Sequence, residues 1–112
     1  MLDWNDYRAQ LMNQIGDFAS ASPDTVKGYQ VLSSAAQKTN ALDAKTRELI
    51  AMAVAITTRC DGCISVHSKR ARDEGATNEE IAEALGVAVA LNAGAALVYS
   101  SRALEAANAA AK

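Results

Sequence analysis

Apolar positions recur at helical spacing through most of the chain. Trp4, Tyr7, Leu11, Ile15 and Phe18 share one face behind Asp3, a plausible N-cap, which predicts an amphipathic helix over residues 4–19. That stripe reads as core or subunit contact rather than a ligand box. Ser22-Pro23 places a cap before a proline at the first helical position, opening a second helix. Its inner face would carry Val26, Tyr29, Leu32 and Ala36, and Thr39-Asn40-Ala41-Leu42 breaks the pattern. Asp43 caps a third helix ending near Thr58. The run from Leu49 to Ile56 is apolar all round, which marks this helix as central and buried, with Glu48 at its edge. Cys60 begins a segment over 60–74 that stops at Gly75, a C′ glycine. Lys69, Arg70 and Arg72 stand in its later turns, where they suit the helix dipole. Thr77-Asn78-Glu79-Glu80 is a capping box that opens a helix containing Ile81, Leu85, Ala88 and Val89. Asn92-Ala93-Gly94 reads as a break or kink before a last helix over about 95–109, whose Ala-rich tail frays. No β-alternation longer than a few residues appears. The expectation is an all-α chain of five to six helices, forming one domain over 1–112 with no linker or internal repeat.

Composition sharpens that picture. Of the 112 residues 50% are hydrophobic but only 4% aromatic, and alanine supplies much of the difference. Small residues let helices approach closely while burying little area each, and a chain of this size has a modest core of its own. Together these favour a helical subunit packed against copies of itself. The formal net charge is −2, from 11 Lys and Arg against 13 Asp and Glu, with no basic cluster interleaved with aromatics. A nucleic-acid surface is therefore not expected. Met1-Leu2-Asp3-Trp4-Asn5-Asp6 has neither the basic region nor the apolar stretch of a secretory signal. The longest uncharged stretch, Ala84 to Ser101, is Ala-rich and interrupted by Gly86, Asn92 and Gly94, so a membrane span is not expected either. The expected home is the cytoplasm, where a lone cysteine pair is more often catalytic or metal-binding than structural.

The chemistry concentrates in Cys60-Asp61-Gly62-Cys63-Ile64-Ser65-Val66-His67, which holds both cysteines and the only histidine. Two thiols at this spacing close a disulfide with little backbone movement, and a helix N-terminus or nearby positive charge favours the reactive thiolate. Residues 60, 63 and 67 fall on one helical face. His67, one turn from Cys63, is placed to take its proton, and Glu48 on the adjacent helix is the best candidate to orient the imidazole. Cys63 is thus the candidate nucleophile and Cys60 the resolving thiol. The expected cycle runs from thiolate through sulfenic acid to disulfide, with an external dithiol returning the pair to its reduced state. The same two cysteines, His67 and Glu48 also form a four-ligand set for zinc, although 60, 63 and 67 crowd one short helix and no second C-x-x-C completes a familiar zinc module.

Glu48, Cys60-Asp61-Gly62-Cys63 and His67, set between Leu42-Asp43-Ala44-Lys45-Thr46-Arg47-Glu48-Leu49-Ile50 and Gly75-Ala76-Thr77-Asn78-Glu79-Glu80-Ile81-Ala82-Glu83-Ala84-Leu85, resemble the AhpD-like alkylhydroperoxidase family of the carboxymuconolactone decarboxylase superfamily. The similarity covers roughly residues 25–107. It implies an AhpD-like helical bundle assembled as trimers or as hexamers of paired subunits. It also implies a thiol peroxidase or disulfide reductase acting on hydroperoxides without metal, haem or other cofactor. By the same resemblance Cys63 becomes the sulfenic acid, Cys60 is its partner, and His67 with Glu48 forms the proton relay. The implied electron donor is dihydrolipoamide or a thioredoxin-like dithiol. One departure stands out: Gly62 occupies a position that is histidine in some peroxidase members, so a second imidazole is missing and a weaker peroxidase or general disulfide oxidoreductase is compatible. Two other readings stand beside the thiol enzyme. One is a lactone decarboxylase, which needs no thiol pair; the other is a non-enzymatic helical scaffold or metal-binding module.

Overall fold

The computed structural model describes residues Met1–Lys112 as five helices and no strand: α1 Trp4–Ala21, α2 Pro23–Thr39, α3 Ala44–Thr58, α4 Asp61–Asp73 and α5 Asn78–Ala110. Local chemistry sets the boundaries. Asp3 accepts the Asp6 N–H at 3.1 Å, and Asp43 accepts the Thr46 N–H at 2.8 Å. Thr77 and Glu80 close a reciprocal box, with the Glu80 N–H on the Thr77 hydroxyl at 3.1 Å and the Thr77 N–H on the Glu80 carboxylate at 3.0 Å. Each cap gives an orphan first-turn N–H a partner. At the other ends, Asn40 and Arg59 adopt the left-handed conformation at φ 52° and 55°, and Gly75 ends α4 at φ 84°, where a Cβ would be strained. Lys45 and Glu80 pair at 2.7 Å, tying the start of α3 to the start of α5.

The second cap differs from expectation. Ser22 ends α1 by donating its N–H to the Phe18 carbonyl at 2.8 Å, while its hydroxyl meets the Thr25 hydroxyl at 2.7 Å rather than a backbone N–H. Pro23 still starts α2, because its ring presets φ and its missing N–H would have been unsatisfied anyway.

Helices α3 and α4 form an antiparallel hairpin across Arg59 and Cys60, and the first half of α5 lies against α3. The core is Met52, Ala71 and Ala76, flanked by Leu49, Ile81 and Leu85. α1 packs on α2 and α4. Helix α3 is central, but it is not buried all round: Met52 and Ala55 are covered, whereas Ile50 and Val54 are about half exposed. The expected inner face of α2 is likewise open, with Tyr29 and Leu32 exposed, and Val89 on α5 is exposed too. These side chains have no fourth layer to face within one chain.

The expected break at residues 92–94 is absent: α5 runs unbroken for 33 residues. The Asn92 amide donates to the Ala88 carbonyl at 2.7 Å, one turn back, so its polar group is satisfied without opening the helix. Gly94 costs about 1 kcal/mol relative to alanine, and alanine-rich surroundings absorb that; only proline would have removed a helical hydrogen bond.

The chain is open for its size. Only 6 of 112 residues are buried. Its radius of gyration is 18.5 Å, against about 13 Å for a compact chain of this length. Its surface is 8392 Å², against roughly 5,900 Å² for a compact monomer of this mass. α2 and the second half of α5 project from the core. α5 is long and apolar enough to cross a membrane, and 6% of its most apolar stretch is buried within the chain.

Candidate active site

The tight α3–α4 hairpin assembles the site. Arg59 ends α3 in the left-handed conformation, and the Cys60 N–H returns to the Ala55 carbonyl at 3.1 Å. Cys60 then serves as the N-cap of α4, its sulfur accepting the Cys63 N–H at 3.1 Å. Sulfur takes the position usually held by a serine or aspartate oxygen. Cys60 and Cys63 are bonded as a disulfide, with their Cα atoms 5.2 Å apart, well inside the range such a bond requires. Both residues are half-buried.

Reversal of the chain at Arg59-Cys60 lays α4 back along α3. Glu48 and His67, 19 residues apart in sequence, meet with Oε2 and Nδ1 at 2.6 Å. Their side chains are 18% and 24% exposed, so water screens this contact only in part. With Glu48 as a carboxylate, which only accepts, Nδ1 carries the ring proton and Nε2 is left as the basic nitrogen. His67 lies one turn beyond Cys63 on α4. All four candidate residues therefore lie in one hairpin, the cysteines joined to each other and the acid joined to the base. With the two sulfurs bonded to each other, no group of three His, Cys, Asp or Glu side chains is placed to hold a metal ion.

Three further residues frame the cysteines. Leu11 of α1 lies over Gly62, the Arg8 guanidinium Nε donates to the Ser65 carbonyl at 2.6 Å, and the wholly buried Ser65 donates its hydroxyl to the Gly62 carbonyl at 2.8 Å. Sequence reasoning placed Leu11 in an apolar stripe and gave Arg8 and Ser65 no part. The one signal for them was Gly62 itself, a glycine in the first turn of a helix where no turn geometry calls for one. A cleft of about 510 Å³ opens beside the site, floored by Met52 and Ile81 and walled by Arg8, Lys69 and Arg72; it takes in neither cysteine.

The all-helical fold agrees with comparison to known proteins. The sequence profile of the carboxymuconolactone decarboxylase family matches residues 23–106. An uncharacterized protein of Haemophilus influenzae is 51% identical over 104 residues, covering 93% of this chain and 92% of its own length. A second, uncharacterized protein 4 in the cox locus of Paracoccus denitrificans, is 43% identical over 90 residues, with 80% and 81% covered. Among solved structures, the apo form of a carboxymuconolactone decarboxylase family protein from Legionella pneumophila superposes with a TM-score of 0.74 at 40% identity, covering 91% of each chain. The chain belongs to the carboxymuconolactone decarboxylase family, and the AhpD-like resemblance fits within it.

Proposed function

We propose that this protein is a thiol-dependent oxidoreductase that reduces hydroperoxides through Cys63 and Cys60, with His67 and Glu48 as its proton relay. The observation that carries the reading is the 2.6 Å contact between Glu48 and His67 one turn from a closed Cys60–Cys63 disulfide. A histidine oriented by a carboxylate beside a dithiol is an arrangement for activating a thiol, and a structural disulfide has no use for it.

Nε2 of His67 takes the Cys63 proton, and the thiolate attacks one peroxide oxygen. The O–O bond breaks, an alcohol leaves with a proton, and Cys63 becomes a sulfenic acid. Cys60 attacks that sulfur as a thiolate, releasing water and forming the disulfide. An external dithiol, dihydrolipoamide or a thioredoxin-like protein, then supplies two electrons and two protons by thiol–disulfide exchange at Cys63. Cys60 suits its two turns as a thiolate, first attacking and later leaving, because its sulfur faces the Cys63 N–H at the start of α4. A dithiol donor that must stay reduced fits the cytoplasm.

The openness of the protomer supports a homo-oligomer, a trimer or a hexamer of paired subunits. Its surface exceeds that of a compact monomer by on the order of 2,500 Å², which lies in the range of obligate interfaces. In this reading neighbouring copies, not lipid, cover α2 and the second half of α5.

Replacing Cys63 by serine and following reduction of an organic hydroperoxide with excess dithiol tests the chemistry. Turnover should vanish, and Cys60→Ser should hold one equivalent of sulfenic acid after a single peroxide. Undiminished turnover in both variants ends the redox reading. Decarboxylation of a lactone substrate that survives in both serine variants and is lost in His67→Ala would favour a decarboxylase of the family's eponymous kind.

A further inference from the structure

We infer that α1 is a wall of the dithiol site, and that Leu11 and Arg8 are positioning residues that hold the Cys60–Cys63 turn in its disulfide form. The inference rests on reading this pair as reversibly redox-active.

Gly62 lies between the two cysteines in the first turn of α4. A Cβ built there would stand 3.0 Å from Leu11 Cδ2, closer than ordinary van der Waals contact. The space a side chain at 62 would need is therefore filled by a side chain from another helix. No positive φ makes glycine necessary at this position, since only Asn40, Arg59 and Gly75 have one. Gly62 is a matter of room, and Leu11 takes the room.

One turn away on α1, Arg8 fixes the same segment from its other end. Its Nη1 donates to the Asn5 side chain at 3.0 Å, which steadies the guanidinium, and its Nε donates to the Ser65 carbonyl. Ser65, with no exposed surface, passes the hold back to the Gly62 carbonyl through its hydroxyl. The stretch 62–65 is thus pinned by an apolar contact above Gly62 and a chain of two hydrogen bonds below it, with Cys63 inside. α1 packs on α4 and on α2, so α4, this turn included, is its seat on the body of the protein.

These contacts are present with the disulfide closed. Any of them that weakens when the sulfurs separate favours the oxidised state, and by linkage the redox state must bias the seating of α1 by the same factor. Removing them should make the disulfide easier to reduce.

The test equilibrates the full-length protein with mixtures of reduced and oxidised dithiothreitol. Two electrons and two protons pass from the reagent to Cys60 and Cys63 as its own cyclic disulfide forms. Leu11→Ala should lower the ratio of reduced to oxidised reagent at the midpoint by about tenfold, which is about 30 mV for a two-electron couple. Gly62→Ala should shift it the same way, by crowding instead of by loss of contact. The double variant Leu11→Ala/Gly62→Ala should return towards the wild type, because the truncated leucine leaves space for the new methyl group. Such mutual rescue marks direct contact, and a general loss of stability would not produce it. Leu11→Val gives a gentler version should Leu11→Ala fold poorly. Amide exchange in α1 should also quicken on reduction of the wild type. Midpoints within twofold of the wild type, or strictly additive effects in the double variant, overturn the inference. A pair that cycles normally with dithiothreitol while ignoring Leu11 and Gly62 sinks this inference alone. A pair that does not cycle sinks the redox reading with it.

Discussion

The two helical hairpins of this protein are built from the same local parts and end in opposite circumstances. α1–α2 turns at the single residue Ser22, and α3–α4 at Arg59 and Cys60. Each has a capping aspartate at its first helix, Asp3 or Asp43, and no ambiguity about where its helices begin. Yet α3–α4 buries Met52, Ala55, Ser65 and Ala71, whereas α1 and α2 bury no residue at all. The difference is a third layer: α5 packs along α3, whereas α2 packs on little beyond α1. Caps and proline decide that a segment is helical, but only a facing surface decides that its apolar stripe is core.

If neighbouring copies provide the missing layer, the comparison breaks most sharply at α2. Leu32 is 73% exposed in the single chain. In an isolated chain Leu32→Asp would stay within about 0.5 kcal/mol of neutral, as surface substitutions do. At an interface each copy would lose roughly 1.5–3 kcal/mol of apolar burial and would also have to desolvate a carboxylate. The expected result is dissociation towards an 11.7 kDa species with helix content retained, read by light scattering on a sizing column. Assembly unchanged by Leu32→Asp would mean that this face is not where copies meet.

The second prediction tests the well-packed hairpin. Glu48→Gln preserves size and removes the charge that would stabilise a protonated His67. Turnover of hydroperoxide should fall about a hundredfold, the low end of what general acid–base assistance provides, while the thermal midpoint moves little. Full activity in Glu48→Gln would reduce the 2.6 Å contact to a structural one.

That contact was legible in outline because it depends on a short hairpin: two helices joined by two residues run side by side, which puts Glu48 on the helix adjacent to His67. The caps at Asp3, Asp43 and Thr77, and the stop at Gly75, were legible for a simpler reason, since each is settled within a few residues. What was not legible is whatever depends on distant surfaces. Tyr29, Leu32 and Val54 carry the right periodicity for burial, but periodicity does not say whether their cover belongs to the same chain. In the unbroken passage of α5 through residues 92–94, the Asn92 side chain is satisfied by the Ala88 carbonyl, a bond that spacing alone does not reveal. Leu11 over Gly62 joins residues 51 apart, and nothing local to either named the other.

The smallest effect sits where the two halves of the core are tied, at Lys45 and Glu80. Lys45 bonds Glu80 and, with the Thr77 N–H, holds the Glu80 carboxyl below its usual 4.5, while Glu80 in turn raises the Lys45 ammonium above 10.5. Thr46, through its hydroxyl and then its N–H, lowers Asp43 from 3.8. The signs follow from linkage. Both carboxylates have depressed folded values, so their contribution is complete above about pH 4.5 and is lost as pH falls through those lowered values; Lys45 contributes fully below 10.5 and loses its part only as pH rises through its raised value. Between these limits stability should be flat on their account. With side chains 35% and 36% exposed, the Lys45–Glu80 pair is screened, and its share of the acid loss should be minor. Lys45→Met should therefore flatten the decline of thermal midpoint between about pH 5 and pH 3 without removing it, because Thr46 still holds Asp43 and Thr77 still holds Glu80. Parallel acid profiles for Lys45→Met and the wild type would show that the tie between α3 and α5 rests on Met52, Ile81 and Leu85 alone.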